Sequence, residues 1–145
     1  MVKILIKKLD RNIKLPNYKT IGSSGMDLRA WTKEKIIIKP KEKEIIQTGI
    51  SVAIPIKYEI QIRPRSGLSA KNNISVLNTP GTIDADYRGE IKVILINLGN
   101  KEFVINPGDR IAQMVLCPVV KIEFKEVEYL PDTERGQGGF GSTGI

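Results

Sequence analysis

The sequence predicts an all-β sandwich or barrel. Three observations lead there: short segments that alternate polar and apolar residues, turn signals recurring between them, and no convincing amphipathic helix. Glu59-Ile60-Gln61-Ile62-Arg63 alternates throughout, as does the start of Glu90-Ile91-Lys92-Val93-Ile94-Leu95-Ile96. In the second segment Ile94 and Ile96 fall opposite Ile91, Val93 and Leu95. A strand apolar on both faces predicts a second layer or a subunit contact over it. Lys121-Ile122-Glu123-Phe124-Lys125 also reads as a strand. There Val127 is out of phase with Phe124, which predicts a bulge or strand end near Lys125-Glu126. Asn106-Pro107-Gly108-Asp109 sets Pro and Gly at the centre of a type II turn. Leu98-Gly99-Asn100 and Thr79-Pro80-Gly81 are further breaks. One or two helical turns are expected from Ser66 to Lys71. No internal repeat or linker divides the chain.

The chain has 145 residues, 41% apolar and 27% charged, enough for one domain with a sizeable core. It has no apolar run of 18 residues, and the apolar stretch in Met1-Val2-Lys3-Ile4-Leu5-Ile6 is too short for a signal peptide. These features read as a soluble, cytoplasmic protein. The absence of His removes the Ser-His-Asp triad and the HExxH metalloprotease. A single Cys removes zinc sites of Cys/His type, zinc deaminases and disulfides within the chain. That residue, Cys117, lies in an apolar run and is expected to be an inert core thiol. Acid–base chemistry then falls to Asp, Glu, Tyr or Lys, and any metal must be a hard, oxygen-liganded ion such as Mg²⁺. The net charge of +7 hints at an anionic partner, but the charges interleave, as in Lys39-Pro40-Lys41-Glu42-Lys43-Glu44, and read mainly as solvated surface. Aromatic residues make up only 6%, so the clustered stripe of a nucleic-acid binder is not there.

Five segments concentrate polar chemistry. Asp27 sits in the turn Gly22-Ser23-Ser24-Gly25-Met26-Asp27-Leu28. In Arg63-Pro64-Arg65-Ser66-Gly67-Leu68-Ser69, Ser66 reads equally as a helix N-cap and, with Arg65, as a phosphate ligand. In Asn78-Thr79-Pro80-Gly81-Thr82-Ile83-Asp84-Ala85-Asp86-Tyr87-Arg88-Gly89, an extended chain puts Asp84 and Asp86 on one face. Such a pair could hold a metal, supply a base, or simply cap a turn. Gln113 interrupts an apolar stretch and wants partners if buried. The end of the chain, Arg135-Gly136-Gln137-Gly138-Gly139-Phe140-Gly141-Ser142, is a flexible tail on composition. It has part of a P-loop spacing but lacks the Lys, the preceding strand and the following helix. Its glycines still let backbone N–H groups approach phosphates, Arg135 could clamp one, and Phe140 could lie on a base.

In this order the five segments closely resemble the motifs of the homotrimeric dUTPases, from Ser23 to Ser142. Two small departures are Ser24 where Ala is common and Asn73 where Gly is common. Asn is the residue other than Gly that best tolerates positive φ, so the turn at Asn73 is expected to survive.

The resemblance implies a distorted jelly-roll β-sandwich over residues 1–130, assembled as a homotrimer. Residues 131–145 would form a flexible arm that completes a neighbouring subunit's active site. It implies hydrolysis of dUTP to dUMP and pyrophosphate with Mg²⁺. Asp84 would be the base that activates water against the α-phosphorus, and Asp27 would hold the Mg²⁺ water shell. Arg65, Ser66, Gly67 and Gln113 would bind the phosphates, Arg135 the γ-phosphate, and Phe140 would cover the uracil, with Gly141 also touching substrate. Asn78 would read the uracil edge beside Thr82 and Ile83. Tyr87 would stack on the deoxyribose and reject UTP, while Lys92 would border this pocket. The nearest alternatives are a dCTP deaminase of the same fold and a non-catalytic, nucleotide-controlled regulator. No nucleic-acid or membrane partner is implied.

Overall fold

The structure is a computed structural model and describes residues 1–139. In chain order its elements are β1 (Leu5–Lys8), β2 (Met26–Arg29), β3 (Ile36–Ile38), β4 (Lys43–Ala53) and β5 (Tyr58–Arg63). There follow α1 (Ser66–Asn72), β6 (Ile74–Val76), β7 (Gly81–Ile83), β8 (Glu90–Asn97), β9 (Phe103–Ile105) and β10 (Arg110–Pro118). One sheet runs β1-β4-β8-β6, a second runs β2-β10-β5-β7, and β3 pairs with β9. All pairings are antiparallel. Sequence-distant strands are neighbours in each sheet, so the two sheets form a jelly-roll sandwich: the alternation predicts a β-sandwich or barrel, and the family resemblance implies the jelly roll.

Alternation decides which side chains meet between the sheets. Along β4, Ile46, Thr48, Ile50 and Val52 all point inward and are buried. Along β8, Ile91, Val93 and Leu95 are each 0% exposed. Ile60 and Ile62 of β5 and Ile111 and Met114 of β10 close the core from the other side. Ile94 and Ile96 are half-buried on the outer face of β8, so that strand is doubly apolar as expected. Asn97 is fully buried yet satisfied: its Nδ2 donates to the carbonyls of Ile38 (2.9 Å) and Lys101 (2.7 Å), and its Oδ1 accepts from Gly99 N. It ties β3 to the end of β8.

The turn chemistry matches the sequence at two points. Gly108 has φ +84°, and Asp109 N donates to Asn106 O at 3.1 Å, as a type II turn with Gly at its third position requires. Asn73 takes φ 56° and ψ 31° and closes α1 in the left-handed region.

Three expectations fail. Residues 121–125 do not form a strand: the second sheet's ladder ends at Pro118, and residues 119–139 carry neither strand nor helix. Alternation makes a strand only where an edge is there to pair with, and a single chain offers this segment none; Ile122 and Phe124 stand 73% and 88% exposed. Cys117 is not a core residue. It is half-buried on the outer face of β10, with its Sγ 3.6 Å from Arg63 Nη2. Ser66 is not the N-cap of α1: Arg65 holds that position, with no side-chain cap, and Ser66 is the first helical residue.

Candidate functional site

Most of the candidate residues gather in two places, one at a corner of the second sheet and one where its edge strand β7 meets β8 of the first. The first is the corner where β2, β10 and β5 lie side by side. Asp27, Gln113 and Arg63 occupy one row across these strands. Asp27 Oδ1 accepts from Arg65 Nε at 3.1 Å, and its Oδ2 pairs with Arg110 Nη1 at 3.1 Å. Arg65 Nη1 also donates to Arg110 O at 2.9 Å. Two of the five guanidinium N–H groups of Arg65 are thus engaged, and the rest of its fork remains for an anion. Gln113 Nε2 donates to Pro64 O at 2.9 Å, which answers its need for a partner and holds the chain just before Arg65. A Cβ at residue 25 would come within 2.6 Å of Gln113 Oε1, so only glycine lets this side chain lie where it does. Ser66 and Gly67 follow Arg65, exposed, with first-turn amides that a helix leaves free.

The second place is the edge strand β7. A small cleft of about 40 Å³ is lined by Asn78, Gly81, Thr82, Ile83, Lys92 and Ile94, among others. The structure therefore brings together Asn78, Thr82, Ile83 and Lys92, and Lys92 does border this cleft. Asn78 Nδ2 would lie 3.3 Å from a Cβ at Gly81, so it packs closely on that backbone. Beyond β7 the chain turns: Tyr87 N donates to Asp84 O at 3.2 Å. Asp84 and Asp86 therefore lie on a turn and not on one face of an extended strand, because β7 stops at Ile83. Both are exposed. Tyr87, 44% exposed, folds back so that its hydroxyl donates to Glu90 O at 3.1 Å.

The two places are far apart. The register sets Ile83 against Ile60, so Asp84 falls level with Glu59 and hence with Cys117. Asp27 is level with Gln113. Three strand spacings across and four residues along put the two aspartates roughly 20 Å apart. Arg135 is elsewhere again, in a local turn where its Nε donates to Gly138 O at 2.8 Å. Phe140 and Gly141 lie outside the described residues. A hollow of about 590 Å³ lies between residues 12–19 and Arg29–Thr32, and of the candidate residues only Asp27 borders it.

Sequence reasoning missed Arg110. It stands in the Gly108–Gln113 segment, and its signal was a cation at the start of a strand that reaches Gln113. Among the described residues no group of three or more His, Cys, Asp or Glu gathers as a metal site. The donor set around Asp27 is one carboxylate with both oxygens in ion pairs. That set cannot cage a metal, so a Mg²⁺ ion at this corner would have to keep its waters and take its ligands from a substrate's phosphates.

Fold and site together define a jelly-roll β-protein with a cationic corner suited to an anion and a separate cleft at a sheet edge, bordered by Asn78 and Lys92. The dUTPase family model matches residues 11–144. The deoxyuridine 5'-triphosphate nucleotidohydrolase of Finegoldia magna is 58% identical over 143 residues, 99% of this chain and 98% of that protein. A solved dUTPase variant of Staphylococcus bacteriophage 80alpha with dUpNHpp superposes with a TM-score of 0.89 at 27% identity, covering 99% of each chain. A dUTPase variant from phage phi11 of S. aureus, solved to show coordination of a structural Mg(II) ion, gives 0.80 at 25% identity, covering 90% of this chain and 99% of that one. This chain belongs to the dUTPase family.

Proposed function

We propose that this protein hydrolyses dUTP to dUMP and pyrophosphate in the cytoplasm, which limits uracil in DNA and supplies dUMP for thymidylate synthesis. The observation that carries this reading is the pairing of two half-sites. Asp27, Arg65, Arg110 and Gln113 form a corner suited to a polyphosphate, and Asn78, Thr82, Ile83 and Lys92 form a cleft suited to a polar base edge.

Arg65, Ser66, Gly67 and Gln113 bind the phosphates. Arg135 of the C-terminal arm holds the γ-phosphate, while Phe140 and Gly141 close over the nucleoside. Asp27 would hold a Mg²⁺ ion through water, and the ion would supply neutralisation of the phosphate charge. Asn78 pairs with the uracil edge, and Tyr87 lies against the deoxyribose where a 2′-hydroxyl would clash. Asp84 takes a proton from a water molecule, whose oxygen bonds to the α-phosphorus. The bond from that phosphorus to the bridging oxygen breaks, and pyrophosphate leaves with charge stabilised by the arginines. With no His in the chain, the part of base falls to a carboxylate set beside the phosphate.

A separation of roughly 20 Å between Asp84 and Asp27 is too wide for one chain to place both at the reacting end of one triphosphate. Each site is therefore shared: one subunit of a homotrimer brings Asp84 and its cleft, a second brings the Asp27 corner, and a third brings residues 131–145. The exposure of Val120, Ile122 and Phe124 supports this, since an isolated chain leaves them without a surface to cover.

Pyrophosphate release from dUTP, UTP, dTTP and dCTP, each with Mg²⁺ and with chelator, tests the reading. Metal-dependent release from dUTP alone is expected. Ammonia from dCTP would make the protein a deaminase, and nucleotide binding with neither product would make it a regulator.

A further inference from the structure

Glu90 opens β8 and is hydrogen-bonded to two elements at once. Its Oε1 accepts from Gly49 N at 2.8 Å, and its Oε2 accepts from Gln47 Nε2 at 3.4 Å. Its main-chain carbonyl accepts the Tyr87 hydroxyl at 3.1 Å. Among the described residues the Glu90 carboxylate makes no ion pair, so its part here is hydrogen bonding.

The need on the β4 side is structural. The β4–β8 register shifts between Gln47 and Ser51, which makes a bulge there. Gly49, inside it, is buried and has φ +69°. A buried amide off the ladder must find another acceptor, and an ionised carboxylate is a strong one. The bulge in turn carries other contacts: Gly49 O accepts from Leu9 N at 2.8 Å, and Ile13 and Trp31 pack where a Cβ would be. Anchoring the carboxylate in this bulge fixes where residue 90 sits.

The need on the other side is orientation. Tyr87 is exposed, and its ring folds over Gly89, where a Cβ would overlap it. The hydroxyl's bond to Glu90 O sets how far that ring can swing. A residue that must exclude a single hydroxyl group discriminates only if it is held still.

We propose that Glu90 is a positioning residue for sugar discrimination: by locking itself into the β4 bulge it fixes the carbonyl that holds Tyr87. This rests on the reading of Tyr87 as the surface against deoxyribose. It assigns Glu90 no contact with substrate.

The test compares Glu90→Ala, Glu90→Gln, Tyr87→Phe and Tyr87→Ala. It measures kcat and KM for dUTP and UTP, melting temperature, and emission of Trp31, the only tryptophan, which packs on the bulge. Glu90→Ala is expected to lower the dUTP/UTP preference about tenfold, mainly through KM for dUTP, and to shift Trp31 emission. Glu90→Gln keeps an acceptor for Gly49 N and is expected to restore most of both. Tyr87→Phe should lower the preference as Glu90→Ala does while leaving the emission unmoved. The double variant Glu90→Ala/Tyr87→Phe should lose no more preference than either single variant, because both cut one connection. If Glu90→Ala does not fold, Glu90→Asp, too short to reach Gly49, takes its place with the same expectations. A lower melting temperature with unchanged preference in the Glu90 variants would overturn the proposal and leave Glu90 a structural residue. Unchanged preference in Tyr87→Ala would instead remove the underlying reading of Tyr87, and the proposal with it.

Discussion

Asp27 and Asp84, the latter on the turn that follows β7, lie off diagonal corners of one sheet, roughly 20 Å apart by strand spacing and register. A site that needs both must draw them from different chains. Arg65→Ala and Asp84→Asn proteins should each be inactive alone. Unfolded together at equal amounts and refolded, they should recover about one quarter of wild-type activity, because in a cyclic trimer that share of random junctions pairs an intact Arg65 with an intact Asp84. Absence of recovery in properly reassembled mixed trimers would place both residues of a site in the same chain.

Asp84→Asn keeps the size of the side chain and removes its basicity. The turn that carries it is held by the main-chain bond from Tyr87 N to Asp84 O, which the substitution leaves alone. Turnover should therefore fall by about 10²–10⁴, the usual share of a general base. Binding of a non-hydrolysable dUTP analogue, followed by calorimetry, should stay near wild type. Loss of binding in step with turnover would assign Asp84 to the grip on substrate and not to the water.

The same chain was legible in unequal parts. Where both partners of a pattern lie in one chain, the residues announced it: the alternation of Glu59–Arg63, the two apolar faces of Ile91–Ile96, the Pro-Gly turn at 107–108 and the positive φ of Asn73 are all there. The alternating 121–125 segment formed no strand, since alternation describes a strand's faces and says nothing of whether a partner edge exists. Of the longest strand, β4, only Lys43 and Glu44 fall in a segment the sequence marks, and that segment reads as charged surface. The strand's inward series Ile46, Thr48, Ile50, Val52 has a polar member at its second place. The motifs pointed to Asp27, Arg65 and Gln113 one by one. That Arg110 joins them through Asp27 follows from the β2–β10 register, which no local pattern encodes.

Gly25 offers a test of the corner's packing. A Cβ there would stand 2.6 Å from Gln113 Oε1 and 3.3 Å from Val115 Cγ2. Gln113 is a flexible side chain and can yield, but only by leaving Pro64 O, to which it donates at 2.9 Å. Gly25→Ala should therefore destabilise the fold by about 1–3 kcal/mol, as overpacking does. It should also raise KM for dUTP more than it lowers kcat, because the segment before Arg65 loses its tether. A variant with wild-type KM would show that Gln113 holds Pro64 without bearing on the phosphates.

Residues 131–139 form only local turns, with Gly136 N donating to Thr133 O at 3.0 Å and Arg135 Nε to Gly138 O at 2.8 Å. None of these bonds reaches the sandwich, and residues 131–137 are exposed. Removing residues 132–145 should therefore leave the melting temperature and the trimer unchanged. Activity should drop severely, since the cut removes Arg135 and Phe140 together. Arg135→Ala alone separates their parts: one charge-assisted contact to a phosphate is worth about 1.5–3 kcal/mol, or roughly tenfold to a hundredfold in kcat/KM. Truncation that instead lowers the melting temperature or splits the trimer would make the arm a structural clasp, and the active site would then have to close without it.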